Sequence, residues 1–141
     1  NYFTNSIHVP VWKEMTPFEK IDIESQLTSY SNAGCITYVE LPSKCVDNID
    51  AIEKIVDYAM DHEIPYFAIN LPNDMCNDCG YQGLIGDKCP SCGGENISRL
   101  RRVTGYLTGD YKSAFNAGKQ IETEQMKLLI YKLRILEIKT D

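Results

Sequence analysis

The chain has 141 residues, of which 43% are hydrophobic, enough for one compact domain with a hydrophobic core. A formal net charge of −6 and a pI near 4.9 argue against nucleic acid as the main partner. The apolar runs, such as residues 64–71, are too short to cross a bilayer, so no membrane span is expected. Because the chain starts at Asn1 rather than Met, we expect it to be a piece of a longer protein.

The first predicted elements are a strand and a helix. Residues 2–9 are rich in aromatic and β-branched side chains and end at Pro10, which predicts a short strand. Thr16 and Glu19 form a capping box around Pro17, which suits the first helical position, so a helix is expected to begin there. Its predicted apolar stripe consists of Phe18, Ile21, Leu27 and Tyr30.

A second strand, a second helix and a third strand follow. Residues 35–41 and 64–71 predict the strands, and the latter is so apolar that burial on both faces is expected. Asp47 or Asn48 caps the intervening helix. Its apolar positions are Ile49, Ile52, Ile55, Val56, Ala59 and Met60. This order predicts two βαβ units with a parallel sheet and right-handed crossovers, so residues 1–72 are expected to be the last strands of a larger barrel or sheet.

Residues 73–98 are interpreted as a zinc ribbon. They contain few large apolar side chains and two CxxC pairs. The cysteines of these pairs are Cys76, Cys79, Cys89 and Cys92. Two such turns can place four thiolates around one cation, and tetrahedral sulfur ligation selects Zn²⁺. Gly80 and Gly93 follow the second cysteine of each pair, where the chain must turn tightly. CxxC pairs favour metal over disulfides, which predicts a reducing, cytoplasmic location.

The predicted role of this zinc is structural, because four cysteines leave no open position for a substrate. Metal binding would supply folding free energy on the order of 10 kcal/mol, which the ribbon cannot obtain from burial. Zinc ribbons also serve as docking modules for nucleic acids or proteins. Lys88 is the one basic residue between the outer cysteines, which disfavours nucleic acid.

The residues after the ribbon predict one strand and two helical stretches. Residues 97–103 predict the strand, residues 110–120 a short helix, and residues 121–138 an amphipathic helix. Three cations lie close together at Arg99, Arg101 and Arg102. Such a run is usually a solvated strand or loop edge, and a docking or phosphate-facing patch is the functional alternative.

The sequence RVTGYL at residues 102–107 is specific only in its context. A glycine between threonine and tyrosine is by itself an ordinary turn residue. Here it follows a four-cysteine ribbon, and further motifs occur in order: YFTNS at 2–6, IPYFAINLP at 64–72 and GYLTGDYKSAFNAGKQ at 105–120. Together they resemble the C-terminal glycyl radical region of anaerobic (class III) ribonucleotide reductases over most of residues 1–120.

The resemblance implies an α/β fold in which the C-terminal strands and helices of a glycyl radical enzyme barrel precede a four-cysteine zinc ribbon and a radical loop. Gly105 would carry the radical between Thr104 and Tyr106, and residues 99–120 would form the radical loop and a short helix. A radical S-adenosylmethionine activase would remove a hydrogen from this glycine. The radical would then pass to a cysteine in the barrel upstream of Asn1, which attacks a ribonucleoside triphosphate. The family also implies a cytoplasmic enzyme that is homodimeric when full length.

Three other side chains could carry chemistry. Cys35 begins a predicted strand and is expected in the core, whereas Cys45 is interpreted as incidental. His8 is expected to be packed or solvated. The functional alternative is that it lines the barrel interior near substrate together with Asn5 and Ser6.

Residues 121–141 depart from the family, whose members usually end in a short, highly charged tail. Here the tail is longer and apolar, with a predicted stripe of Met126, Leu129, Ile130 and Leu133. Two other functions stay open: a spare-part glycyl radical protein that docks onto a damaged enzyme, and a non-enzymatic zinc-ribbon module that binds another protein. Spare-part proteins lack a zinc ribbon, and only the non-enzymatic module would tolerate alanine at Gly105.

Overall fold

A computed structural model of the chain describes residues 7–71, 73–83, 85–103 and 105–132, without the side chains of residues 44, 46 and 127–132. In chain order the helices and strands are α1 (Pro17–Thr28), β1 (Thr37–Glu40), α2 (Ile49–Asp61), β2 (Phe67–Asn70), β3 (Asn73–Cys76), β4 (Gln82–Gly83), β5 (Ile97–Val103), β6 (Tyr106–Thr108), α3 (Tyr111–Ala114) and α4 (Ala117–Lys132). The fold is mixed α/β, as predicted. Among the described residues, no helix has the length and apolar character needed to cross a membrane.

The strands β1 and β2 form a parallel sheet, with α2 in the crossover between them. The register runs from Thr37 opposite Phe67 to Glu40 opposite Asn70. This confirms the second predicted βαβ unit. The prediction that β2 is buried on both faces is wrong for the described residues, because every residue of this strand is only half-buried. Phe67 packs against the core beneath the helices, whereas Asn70 turns to the backbone of Arg102.

The first predicted strand is wrong where the structure describes it. Residues 1–6 lie outside the described residues, and residues 7–9 form no strand. The backbone N–H of Val9 donates to Oε1 of Glu24 at 2.9 Å. Because that donor is already occupied by a side chain, it is not available to a neighbouring strand.

The helices α1 and α2 begin with the predicted caps. Oγ1 of Thr16 accepts a hydrogen bond from the backbone N–H of Glu19 at 3.2 Å, and the Glu19 carboxylate accepts from the N–H of Thr16 at 2.7 Å. Asn48, rather than Asp47, caps α2 by accepting from the N–H of Ala51 at 3.1 Å. The capping box was therefore correctly predicted from residues that are close in sequence.

The predicted apolar stripes of these helices are wrong at their ends. Leu27 is 42% exposed, and Tyr30, beyond the end of α1, is 81% exposed. In α2, Ile49 is 72% exposed and Met60 is 69% exposed. One physical reason is length: α2 is about 20 Å long, whereas each strand beneath it spans about 13 Å. The core of this half consists of Ile21, Val39, Leu41, Ile55 and Ala59.

A second, antiparallel sheet has the strand order β4–β3–β5–β6. The strand β5 matches the prediction for residues 97–103. At one end of β5, Ile97 lies opposite Cys76, and at the other end Val103 lies opposite Tyr106. One strand therefore runs from the cysteine ribbon to the glycine hairpin.

The predicted helix over residues 110–120 is interrupted. The helix α3 ends at Ala114, and α4 begins at Ala117. The side chain of Asn116 accepts a hydrogen bond from the backbone N–H of Lys119 at 3.0 Å. This side chain starts a new helix, which explains the break.

The helix α4 continues across residues 120 and 121 without a break. Met126, part of the predicted tail stripe, is buried at 1% exposure. The side chains of Leu129 and Ile130, and the whole of Leu133, lie outside the described part of the chain. The core between α4 and the sheet consists of Val11, Val103, Tyr111, Phe115 and Met126. The boundaries drawn at residues 72, 98 and 120 stay predictions.

Candidate metal centre and glycine hairpin

The four predicted metal ligands converge. Their sulfur atoms all lie within 4.8 Å of one another. Sγ of Cys76 is 3.6 Å from Sγ of Cys92, and Sγ of Cys79 is 3.6 Å from Sγ of Cys89. A tetrahedral ion with Zn–S bonds of about 2.3 Å would hold its sulfur ligands about 3.8 Å apart. The cluster therefore has the size and the donor atoms of a tetrahedral thiolate site.

Each CxxC pair folds as a tight turn that ends in a glycine. The N–H of Gly80 donates to the carbonyl oxygen of Cys76 at 2.9 Å, and the N–H of Gly93 donates to that of Cys89 at 2.9 Å. Both glycines have a φ of +74°, a left-handed conformation that other residues rarely adopt. The predicted need for glycine is confirmed at both positions.

Two of the thiols have opposite shifts in acidity. Burial raises the pKa of Cys89, but the N–H groups of Cys92 and Ser91 and the nearby thiols outweigh burial and lower it to about 7. The N–H of Gly94 lowers the pKa of Cys92, but the thiols of Cys79 and its neighbours raise it to about 12. Without a cation, four close thiols cannot all ionise easily, and a divalent cation removes that repulsion.

A buried ion pair joins Asp74 of the ribbon to Arg101 of β5. Nη2 of Arg101 lies 2.7 Å from Oδ2 of Asp74, and neither side chain is more than 1% exposed. The same Oδ2 accepts a hydrogen bond from the backbone N–H of Ile85 at 2.9 Å. The prediction of a solvated edge is therefore wrong for Arg101. The cause is the central position of β5, whose alternate side chains face the interior of the sheet.

The two neighbouring arginines also contact the chain itself. The guanidinium of Arg99 donates to the carbonyl oxygen of Gly86. Arg102 lies 5.7 Å from the ring centre of Tyr38 and 3.4 Å from its hydroxyl oxygen. The three arginines thus connect the ribbon, β5 and the parallel unit, which consists of β1, α2 and β2. Arg99 and Arg102 stay half-exposed, and the docking or phosphate-facing alternative for the arginine run stays a prediction.

Gly105 lies at the tip of the β5–β6 hairpin. Val103 is opposite Tyr106, so only two residues connect the strands. Gly105 is exposed, its φ is outside the left-handed region, and a Cβ built on it would have no described atom within 4 Å. In this respect it differs from Gly80 and Gly93, whose backbone conformation requires glycine.

The strand after Gly105 is held by the C-terminal helices. The ring of Tyr106 makes an edge-to-face contact with Phe115 at 5.8 Å between centroids. Nζ of Lys119 lies 5.2 Å from the ring centre of Tyr106 and 2.6 Å from Oε2 of Glu122. Both charged side chains are buried. The sequence analysis missed this pair, because a lysine and a glutamate three residues apart usually indicate an exposed helix face.

The four-cysteine cluster and Gly105 are separate sites on one sheet. They lie at opposite ends of β5, whose seven residues span about 20 Å. The structure therefore brings the four cysteines together but does not bring Gly105 to them. Any effect of the metal on Gly105 must pass through the intervening sheet.

His8 is packed, as expected. Its Nδ1 lies 3.4 Å from Oε2 of Glu24, and its ring meets that of Tyr38 edge-on at 5.7 Å. Asn5 and Ser6 lie outside the described residues, so their predicted place with His8 near a substrate stays a prediction.

The two remaining cysteines, Cys35 and Cys45, are not part of the four-cysteine cluster. Cys35 is buried, as predicted, and burial followed by the nearby charge of Glu24 raises the pKa of its thiol. Cys45 is half-buried against the core of the parallel unit, and burial raises its pKa as well. Raised pKa values keep both thiols protonated and unreactive at neutral pH.

Comparison with known proteins gives a consistent result. The family model for anaerobic ribonucleoside-triphosphate reductase matches residues 1–127. The chain is 40% identical over 132 residues to a protein of that name from Escherichia coli (strain K12), and 39% identical over 132 residues to one from Salmonella typhimurium (strain LT2). Each alignment covers 88% of this chain but 18% of the relative. The chain thus spans less than one fifth of the length of these relatives.

A solved structure described as an anaerobic ribonucleotide reductase is also similar. The TM-score is 0.54 at 21% sequence identity, and the similarity covers 84% of this chain and 18% of that one. At this level of identity the likeness supports the fold.

Proposed function

Because the chain belongs to the anaerobic ribonucleoside-triphosphate reductase family, we propose that it is the C-terminal part of such a reductase and stores a glycyl radical at Gly105. The complete enzyme reduces ribonucleoside triphosphates to deoxyribonucleotides in the cytoplasm, as a homodimer. The substrate pocket and the cysteine that becomes a thiyl radical lie upstream of Asn1, within the barrel whose last part precedes the ribbon.

One observation carries the proposal: nothing described around Gly105 requires a glycine. Glycine at a hairpin tip usually supplies a positive φ, but Gly105 does not have one. Its missing Cβ does not make room for another atom either. A chemical requirement remains. Removal of a Cα hydrogen leaves a planar radical shared with the flanking amide nitrogen and carbonyl, and a Cβ would clash in that planar arrangement.

The exposure of the hairpin suits installation of the radical by a second protein. Gly105 is exposed, as are Tyr106 at 46% and Leu107 at 51%. A radical S-adenosylmethionine activase takes one hydrogen atom from Cα of Gly105. The stored radical later takes a hydrogen atom from the upstream cysteine thiol. The resulting thiyl radical removes the 3′ hydrogen of the ribonucleotide, which starts reduction at the 2′ position.

We propose Zn²⁺ as the ion at the four cysteines. The fit is supported by sulfur atoms within 4.8 Å of one another and by an all-thiolate donor set, which favours zinc among the available divalent ions. With four protein ligands the ion has no open position, so its role is to fold the ribbon. The spare-part alternative is not favoured, because such proteins lack a ribbon of this kind.

Electron paramagnetic resonance of the full-length reductase tests the radical assignment. The parent, Gly105→Ala and Gly109→Ala proteins are each incubated anaerobically with a family activase, S-adenosylmethionine and a reductant. Gly109 is a matched control, because a Cβ there meets only the carbonyl oxygen of Arg99 at an ordinary 3.8 Å. We expect an air-sensitive doublet in the parent and in Gly109→Ala and none in Gly105→Ala, whose stability should change by less than about 0.5 kcal/mol.

Two outcomes would contradict the proposal. A doublet in Gly105→Ala would place the radical elsewhere. If the parent gives no doublet with an activase that is proven on another reductase, the radical assignment fails. A non-enzymatic zinc-ribbon module would then be favoured.

A further inference from the structure

The buried ion pair of Asp74 and Arg101 connects the two sites. Asp74 lies in β3, two residues before the metal ligand Cys76, and Arg101 lies in β5, four residues before Gly105. Nη2 of Arg101 is 2.7 Å from Oδ2 of Asp74, and Nη1 lies against Oδ1. Nη1 also donates to the carbonyl oxygen of Leu100 at 3.3 Å, so one guanidinium contacts both the Asp74 carboxylate and the backbone of its own strand.

The carboxylate of Asp74 also holds the loop between the two CxxC pairs. Its Oδ2 accepts a hydrogen bond from the N–H of Ile85 at 2.9 Å. Ile85 is 2% exposed and packs in one cluster with Cys76 and Cys89. One buried side chain therefore contacts both the ribbon interior and β5.

The ion pair lies where the backbone pairing of β5 changes from one neighbouring strand to the other. Residues 97–100 of β5 pair with β3, and residues 101–103 pair with β6, so no residue of β5 pairs with both. The strand passes from the ribbon ladder to the hairpin ladder between Leu100 and Arg101. Backbone pairing alone would leave a hinge there, and the guanidinium of Arg101 reaches across it to β3.

We propose that Asp74 and Arg101 are positioning residues that fix the glycine hairpin relative to the metal-held ribbon. Neither side chain lies within 4 Å of a Cβ built on Gly105. The metal holds Cys76 and, through the ribbon, the carboxylate of Asp74, and the carboxylate holds Arg101 at the base of the hairpin. The consequence for radical formation rests on the proposed function of Gly105, whereas the mechanical coupling does not.

Hydrogen exchange of the full-length reductase, before and after zinc chelation, tests the coupling. In the parent we expect chelation to lower the protection of the amides in residues 101–108 by about tenfold or more. In Asp74→Asn we expect the metal to be retained, the protection to be lower from the outset, and chelation to add less than about twofold. Glu95→Gln is the matched control, since Glu95 pairs with Lys88 at 3.2 Å in the same ribbon but is 70% exposed. It should behave as the parent.

A double variant controls for unfolding of Asp74→Asn, in which Arg101 would be a buried charge without its partner. Asp74→Leu with Arg101→Met leaves no buried charge unpaired, and such replacements are often tolerated. It should bind metal and should also lack the coupling. A metal-loaded variant with parental protection that still falls on chelation would overturn the proposal. Loss of metal from both variants would overturn it too, because the pair would then belong to the metal site.

Radical yield distinguishes this inference from the function on which it rests. We expect metal-loaded Asp74→Asn to give a doublet about tenfold or more weaker than the parent, since the activase must meet Gly105 in a defined place. A parental yield in a variant that has lost the coupling would overturn the positioning role. If the parent itself gives no doublet while chelation still loosens its hairpin, the radical assignment fails and the coupling stands.

Discussion

Glu24 is a buried carboxylate that organises the first half of the chain. Its side chain has no exposed surface and accepts a hydrogen bond from the N–H of Val9 at 2.9 Å. His8 and Lys20 lie 3.4 and 3.8 Å from its two oxygens, and Lys20 also lies 3.1 Å from Glu40. Burial raises the pKa of Glu24, but these neighbours outweigh burial and hold the pKa below its ordinary value. The charged form is therefore the stabilising one.

This shift predicts a pH dependence with a definite sign. A carboxylate whose pKa is lowered by folding stabilises the protein above its unfolded pKa, near 4.5, and loses that contribution as the pH falls through the folded value. Local opening of α1, measured by hydrogen exchange, should become easier as the pH falls from 6 to 4. Glu24→Gln should weaken this pH dependence. It should also lower the free energy of opening α1 by roughly 1–3 kcal/mol at pH 7. The loss stays in this range because Lys20 still has Glu40 as a charged partner.

The exposed Glu53→Gln variant in α2 serves as the control and should retain the pH dependence of the parent. Equal pH profiles for the parent and Glu24→Gln would show that Glu24 does not carry this stability.

At the scale of elements, each helix begins where a nearby side chain caps it. Its buried face, however, depends on the neighbouring elements. Thr16 and Glu19 start α1 through reciprocal hydrogen bonds, and Asn116 starts α4. Yet Leu27 is 42% exposed, whereas Glu24 of the same helix is fully buried. The capping residues therefore predicted where α1 begins, whereas helical spacing did not predict which side chains it buries.

The contribution of the capping box to the stability of α1 can be tested. Thr16→Ala removes the oxygen that accepts from the N–H of Glu19 and should lower the protection of the α1 amides by about 1 kcal/mol. Ser29→Ala at the other end of α1 is the control, since Ser29 is exposed and caps the helix through its backbone. An equal cost for the two variants would argue against the cap as the cause.

At the scale of the whole molecule, the described residues contain three separate buried clusters. One lies beneath α1 and α2, one lies between α4 and the antiparallel sheet, and one lies in the ribbon. The ribbon cluster consists of Cys76, Ile85 and Cys89, with Ile97 packed against it. Two cysteines and two isoleucines bury too little surface to fold this segment without further support. A metal ion held by the four cysteines would supply the difference.

Metal removal should consequently act on one part of the molecule. Elemental analysis of the full-length protein should find one zinc per chain, retained in Cys45→Ser and lost in Cys79→Ser. On chelation, hydrogen exchange should show residues 73–98 losing protection while α1 and α2 keep theirs. Loss of protection in α1 and α2 at the same zinc occupancy would contradict the separation of the clusters, and zinc retained in Cys79→Ser would contradict the ligand set.

Much of the candidate site was predictable, because its signals are short. The four cysteines, Gly80 and Gly93 follow from the CxxC spacing and the tight turn that each pair makes. Gly105 follows from a resemblance over several motifs, and its role stays a prediction. Asp74 and Arg101 carried no such signal, since neither belongs to a recognised spacing and the arginine run favoured an exposed edge.

The sequence by itself determined the features that depend on residues a few positions apart. These are the capping box, the glycines that follow the two CxxC pairs, the grouped cysteines and the strand that leads to Gly105. These depend on local backbone geometry, which nearby side chains control. The tertiary structure alone decided which charges are buried. Arg101 is buried because β3 places the Asp74 carboxylate beside it, and the N–H of Ile85 donates to that same carboxylate. Lys119 is buried because α4 packs against Tyr106. Such partners come from distant segments, so their pairing exists only when the chain has folded.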